Sequence, residues 1–312
     1  MTLKNSIETL PYALQGIKDL QYDKKKIKMI FVDGGSTDGS LRTLEEFRDQ
    51  NIDEYNDIQV ISGSYDVTEG RNTCIRNADG EFILFIDSDV VVPSDLLIEV
   101  ERLFSSDPKI AFINVPCVVE KNKEGWVDKF YKSMREPQGM SCAAIKRPAL
   151  DDVGPYFVGF SKGENPNELV FRFKKKGYKC IVSEKEAIHL KQKPRGFFDY
   201  LRTCFNASVI YHYQEIKSGR KYLVAKYAYY TSLLVSLFLM PFYIMIFMPM
   251  FILLFLILTV AYLVRSNGNP YSLLAIIAGM VLPVGMLFLI LKKAGNRLRT
   301  WFKHLPVFPV FQ

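Results

Sequence analysis

"KIKMIFVDGGSTDGSLRTLEEF" spans residues 26–47. Its first part, "KIKMIFVD", is a short apolar run ending in Asp33, the pattern of a buried strand. Leu41, Leu44 and Phe47 then recur at helical spacing. Between them lies a loop of Gly, Ser, Thr and Asp. It lacks the G-x-G-x-x-G of a dinucleotide turn, and no lysine follows Gly39 as a P-loop requires. A carboxylate at the strand tip is poor company for phosphate but accepts from ribose hydroxyls or base N–H groups. The loop therefore suits a nucleoside better than a phosphate.

The same alternation continues downstream. "IQVIS" (58–62) and "EFILFIDSD" (81–89) predict further strands, and "IAFINVPCVV" (110–119) a fourth. "TEGRNTCIRNA" (68–78) predicts a helix capped by Thr68, and another helix should begin near Pro93. Strands alternating with helices predict a doubly wound, mostly parallel α/β sheet. Ligands of such sheets sit beyond the carboxyl ends of the strands. Two strands end there in aspartate: Asp33, and Asp87 with Asp89. Aspartates at i and i+2 on one strand face the same side. Such a pair repels unless a cation lies between, which suggests a divalent metal with a diphosphate.

These residues resemble family 2 glycosyltransferases of the GT-A fold. "FVDGGSTDGS" is similar to the family's V-D-[DNG]-G-S-T-D-G-[ST] loop. "EGRNTCIRNADGEFILFIDSD" is similar to its Arg-Asn block running to D-x-D. "AAIKRPALDDVGPY", "GENPNELVFRFKKKGYKC" and "AIHLKQKPRGFFDYLRTCF" follow in the family's order. The resemblance implies an inverting sugar transfer from a nucleotide-sugar donor, with Mn²⁺ or Mg²⁺. It implies that Asp33 contacts the nucleoside and that Arg71 holds the donor. Asp87 would touch ribose or metal-bound water, Asp89 the metal, and His189 the metal or diphosphate. Thr2 aligns with the donor-side tip of the family's first strand.

Three positions depart from the family. Gly34 stands where many members carry a second aspartate. The apolar strand expected before Thr2 is missing from the sheet, and the expectation is a start that lies upstream. Asn165 replaces the aspartate of G-E-D, the expected general base. Asn165, Pro166 and Glu168 form a capping box for the next helix. Glu164 is therefore the first candidate base and Glu168 the second.

The 312 residues carry a net charge of +7 and a mean hydropathy of +0.05. That mean conceals a division between a mixed domain at 1–216 and a membrane region at 217–312. From Tyr227 to Val264 no residue is charged, and a second apolar run covers Tyr271–Leu291. A stretch of this length exceeds the ~20 residues one crossing needs. Two or three transmembrane helices are expected, with breaks near Pro241 and Pro249. The three-span arrangement is preferred on length, although it carries the basic run Lys292–Lys303 to the outside. Lys217, Arg220, Lys221 and Lys226 at the entry place the catalytic domain on the cytoplasmic side, near anionic lipid. The acceptor would then be lipid-linked or membrane-associated. The alternatives are a polyprenyl-phosphate sugar synthase, whose acceptor needs no strong base, and an inactive scaffold of the same fold. No basic–aromatic stripe supports nucleic-acid binding. Five scattered cysteines and three histidines predict reduced thiols rather than a structural zinc site.

Overall fold

The computed structural model describes residues 1–119, 139–154, 166–190, 221–239 and 244–265, with Phe198 and Pro283. The chain divides into two compact units, Met1–Pro194 and Arg195–Gln312.

The first unit is α/β. β1 (Thr2–Leu3) is followed by α1 (Leu10–Lys18), β2 (Lys28–Asp33), α2 (Ser40–Asn51), β3 (Asp57–Ser62) and α3 (Val67–Asn77). Then come β4 (Phe82–Ile86), β5 (Val90–Val91), α4 (Leu96–Ser106), β6 (Ile110–Asn114) and β7 (Cys117–Val118). β8 (Cys142–Lys146), α5 (Arg147–Val153), α6 (Pro166–Lys175), β9 (Lys179–Val182) and β10 (Ala187–His189) complete it. The strands form three ladders, in the orders β1-β2-β3, β4-β8-β6-β9 and β5-β10-β7. β1, β2 and β3 run parallel, as do β6 with β9 and β7 with β10. β8 is antiparallel to both of its neighbours, and β5 is antiparallel to β10.

The periodicity that predicts α2 has a packing counterpart. Leu44 and Phe47 are buried on its inner face, and Phe47 meets Phe31 of β2 edge to face at 5.9 Å. Burying side chains of this size contributes about 1.5–3 kcal/mol each. One apolar cluster gathers Leu10, Leu14, Phe31, Leu44, Leu96 and Ile113. A second gathers Ile75, Phe85, Phe112, Ile145, Leu150 and Phe173. Leu10, Leu14 and Ile17 all project from one side of α1 into the first cluster. This packing holds the chain just before α1 against the strand ends.

Several elements differ from the sequence expectation. The predicted fourth strand is two strands, β6 and β7, in different ladders. Pro116 between them has no amide to continue a ladder, and its carbonyl instead accepts from Ala187 N at 2.9 Å. The cap of α3 is Asp66, which accepts from Glu69 N at 2.8 Å, and not Thr68. α4 begins at Leu96, after Pro93. The first strand is present only as the two-residue β1, whose Thr2 and Leu3 lie opposite Val32 and Asp33.

In the second unit, α7 (Lys221–Leu239) and α8 (Ile244–Arg265) are joined by a 2.6 Å hydrogen bond from Tyr229 Oη to the Leu254 carbonyl. Pro249 lies inside α8 and does not break it. Pro241, Tyr271–Leu291 and the basic tail lie outside the described residues. Among the described residues no helix is long and apolar enough to cross a membrane. The side chains of 244–247, 262 and 263 are not among those described. Leu253, Leu256, Ile257 and Val260 of α8 are exposed.

Candidate active site

The loop after β2 is held by its own aspartate. Asp33 is fully buried. Its Oδ2 accepts from the amides of Gly35 and Ser36, each at 3.0 Å, and from the Ser62 hydroxyl at 3.5 Å. Its Oδ1 is buried with no hydrogen-bond partner. The carboxylate expected to meet a nucleoside thus lies beneath the loop and clamps it. Gly34 has a steric reason: a Cβ there would lie 2.8 Å from the Tyr65 carbonyl oxygen. Gly35 and Gly39 adopt positive φ, 80° and 97°, which only glycine tolerates freely.

The Ser/Thr/Asp content of the loop serves a second contact that the sequence reading missed. Residues 5–7, between β1 and α1, are laced to it. Asn5 N donates to Ser36 Oγ at 2.9 Å, and Asn5 Oδ1 accepts from Thr37 N at 2.9 Å. Ile7 N donates to Asp38 Oδ2 at 3.0 Å, and Ser6 N to Ser40 Oγ at 2.8 Å. Asn5 has φ 51°, a left-handed conformation that asparagine accepts more readily than most residues. An asparagine between strand and helix was the available signal. Burial raises the Asp38 pKa, but hydrogen bonds from the Ser40 hydroxyl and the Ile7 and Ser40 amides outweigh it. The carboxyl is left below its ordinary value.

The lacing reaches the second aspartate cluster. Ser88 Oγ donates to Ser6 Oγ at 2.9 Å, although 82 positions separate them. Asp87, Ser88 and Asp89 occupy a turn between β4 and β5, closed by Val90 N donating to the Asp87 carbonyl at 3.2 Å. The two carboxylates therefore diverge rather than share one strand face. Asp87 Oδ1 accepts from Arg71 Nη2 at 2.7 Å. Arg71 projects from α3, its side chain only 5% exposed, and lies over the Phe85 ring at 5.8 Å. Asp89 turns toward β10, where its Oδ1 is 3.8 Å from His189 Nε2. That separation is too long for a direct hydrogen bond. The Asp87 side chain is 27% exposed, and Asp89 and His189 are each 21% exposed. His189 Nδ1 is buried with no hydrogen-bond partner.

The structure thus brings together Arg71 with Asp87, and Asp89 with His189. Among the described residues no group of three His, Cys, Asp or Glu is placed to hold a metal ion. Asp89 supplies a carboxylate oxygen, the donor that suits Mn²⁺ or Mg²⁺, and His189 an imidazole nitrogen that Mg²⁺ does not favour; both are partly open to solvent, which leaves room for water or phosphate. Thr2 sits at the β1 tip and packs on α3. A Cβ at Gly70 would approach Thr2 Cγ2 to 2.0 Å. Behind the turn, burial and the nearby Asp87 and Asp89 charges push the Cys117 thiol up to about 12. Cys74, Cys117, Cys142 and Cys180 are free thiols, and Cys204 lies outside the described residues. Glu164 and Asn165 lie outside the described residues, as does the side chain of Glu168; α6 does begin at Pro166.

The model of the family "Glycosyl transferase family 2" matches residues 1–163. The poly(ribitol-phosphate) beta-N-acetylglucosaminyltransferase TarS of Staphylococcus aureus is 28% identical over 93 residues, 30% of this chain and 16% of TarS. The uncharacterized glycosyltransferase YfnE of Bacillus subtilis is 33% identical over 93 residues, 30% of this chain and 23% of YfnE. The alignments therefore span less than a quarter of these relatives. In fold, the chain is similar to the mannosyltransferase PcManGT from Pyrobaculum calidifontis, solved in complex with GDP-Man and Mn²⁺. The TM-score is 0.58 at 18% identity, covering 96% of this chain and 81% of that one.

Proposed function

This chain belongs to glycosyl transferase family 2, and from that premise we propose that it moves a sugar from a nucleotide-sugar donor to a membrane-associated acceptor with the help of a divalent cation. The observation that carries the reading is the pairing at the strand ends. Arg71 holds Asp87, while Asp89 and His189 face each other at 3.8 Å beside it.

In this reading Asp33 shapes the loop that receives the nucleoside. Arg71 fixes Asp87 for a ribose hydroxyl or a metal-bound water, and Thr2 borders the donor from β1. Asp89 and His189 hold Mn²⁺ or Mg²⁺. The cation supplies charge neutralisation for the departing diphosphate. Glu164 takes the acceptor proton, with Glu168 as second candidate. Glu164→Gln should then lower turnover by about 10²–10⁴-fold. Loss at Glu168→Gln instead would move the role there. Indifference at both would favour a second reading that Asn165 motivates, a polyprenyl-phosphate acceptor that needs no strong base.

The transferase domain is proposed to run over 1–216, and 217–312 to associate with the membrane. The uncharged run Tyr227–Val264 and the exposed apolar side chains of α8 support this. The basic residues from Lys217 to Lys226 support a cytoplasmic placement of the first unit. The lipid-linked acceptor follows from that placement.

One experiment tests the core of the proposal. Purified protein is incubated with UDP- and GDP-sugars, with Mn²⁺ or with chelator, and nucleoside diphosphate release is followed. Metal-dependent release with one donor class is expected, with the product extracted into lipid when membranes are added. Absence of donor binding and turnover across both classes would leave the inactive scaffold.

A further inference from the structure

Ser6, Ser40 and Ser88 are all buried, and a buried hydroxyl is costly unless it is hydrogen-bonded. Each of the three has a partner. Ser88 Oγ donates to Ser6 Oγ at 2.9 Å, and Ser6 Oγ donates in turn to the Lys4 carbonyl at 3.4 Å. Ser6 N donates to Ser40 Oγ at 2.8 Å, and Ser40 Oγ donates to Asp38 Oδ1 at 2.6 Å. A continuous series of contacts therefore runs from Asp38, in the loop after β2, to Ser88, between the two aspartates of the β4–β5 turn.

The turn has other anchors, and they point elsewhere. Asp87 N donates to the Ser141 carbonyl at 2.8 Å, just before β8, and Leu190 N donates to the Asp89 carbonyl at 2.8 Å, just after β10. Neither bond reaches the loop after β2, whereas the Ser88 hydroxyl does so through Ser6. Ser88 sits between Asp87 and Asp89, so a shift of its backbone carries both carboxylates. Ser6 sits between Asn5 and Ile7, whose bonds to Ser36, Thr37 and Asp38 make it the centre of the lacing. The 2.9 Å bond thus joins the midpoints of two segments that are each held by several further bonds. In such a network the bonds support one another, and the loss of a central one is felt beyond its own two atoms.

We propose that Ser6 and Ser88 are positioning residues: their hydroxyl contact fastens the 87–89 turn to the loop at 35–38 and holds the two at one separation. A nucleoside diphosphate has a fixed reach from its base to its second phosphate. A site that takes the base at one segment and the diphosphate with its cation at the other gains when that spacing is set before the ligand arrives, because less ordering is left to binding. Which segment meets which end of the donor rests on the function proposed above. The fastening itself does not.

The test compares the whole chain with Ser88→Ala, with Ser88→Thr, which keeps the hydroxyl, with Ser6→Ala, and with the double alanine variant. Hydrogen exchange is read without ligand at the amides of Asn5, Ser6, Ile7 and Thr37. Ser88→Ala should speed exchange there by about 5-fold, the scale of one hydrogen bond, and Ser88→Thr should restore it. The double variant should lose less than the product of the two single effects, as expected for two residues that share one bond. Binding of UDP and GDP with Mn²⁺, followed by calorimetry, should weaken by about 10-fold in Ser88→Ala and recover in Ser88→Thr. Unchanged exchange in Ser88→Ala would overturn the proposal, as would independent effects of the two serines. Faster exchange with unchanged nucleotide binding would overturn the positioning role. Absence of nucleotide binding by the parent chain would count against the donor site itself, and the exchange rates alone would then decide the fastening.

Discussion

Two strands carry aspartate to the same end of the fold, and they treat it in opposite ways. After β2, Asp33 is fully buried and its Oδ2 is taken up by backbone amides. After β4, Asp87 and Asp89 keep about a quarter of their side-chain surface and face a guanidinium and an imidazole. A carboxylate bound to its own loop fixes shape. One that keeps solvent exposure beside a cationic or imidazole partner still has surface on which to meet a ligand. The residue type is the same, and the neighbours decide how much of the carboxylate stays open to solvent.

Replacement should separate the two behaviours. The largest effect is expected for Asp89→Asn: turnover with Mn²⁺ falling about 10²–10³-fold, the scale of losing one stabiliser of transition-state charge, with an unchanged urea midpoint. Turnover preserved at saturating donor would place Asp89 with the structural aspartate. Next comes Asp33→Ala, which strips the acceptor from two amides and should cost about 2–4 kcal/mol in urea unfolding. A loss of turnover at undiminished stability would give Asp33 a direct role and dissolve the contrast.

Gly34→Asp is a smaller perturbation of the same loop. Its Cβ meets the Tyr65 carbonyl, and a cost of about 1–3 kcal/mol is expected for the forced shift. A neutral outcome in thermal unfolding would mean that the loop yields there.

The smallest effect concerns pH. Asp38 has its folded pKa depressed below the ordinary 3.8, so the unfolded chain binds the proton more readily. Its contribution is fully present above the ordinary value and disappears as pH falls through the folded one. Because the group is partly open to solvent, the contribution is minor. Urea midpoints at pH 6 and pH 3 should differ slightly less in Asp38→Asn than in the parent chain. An unchanged difference would show that its hydrogen bonds to Ile7 and Ser40 are not kept in solution.

The sequence made the alternation of strands and helices readable because each element carries its own period: Leu44 and Phe47 announce α2, and Phe31 and Val32 announce β2. Pairing order was not readable. Nothing local tells β8 to run antiparallel between β4 and β6, and Pro116 divides a run whose apolar content is continuous. The same limit holds at the site. Motif order identified Arg71, Asp87, Asp89 and His189, and the fold brings them together in two pairs. The burial of Asp33 and the Asn5–Ser6 lacing depend on a contact between distant segments. Ser6 and Ser88 are as ordinary in sequence as any serine, and only the folded chain sets their hydroxyls 2.9 Å apart.

The contact of Thr2 with Gly70 has a consequence for descent. With only 2.0 Å between a would-be Cβ at position 70 and Thr2 Cγ2, the two sites share one volume allowance. A Cβ at position 70 is accommodated only if the side chain at position 2 shrinks or turns its methyl group away. Thr2→Gly before Gly70→Ala avoids that contact, whereas the reverse order requires the Thr2 methyl to turn away. Positions 2 and 70 should therefore exchange size as a pair among descendants of this chain.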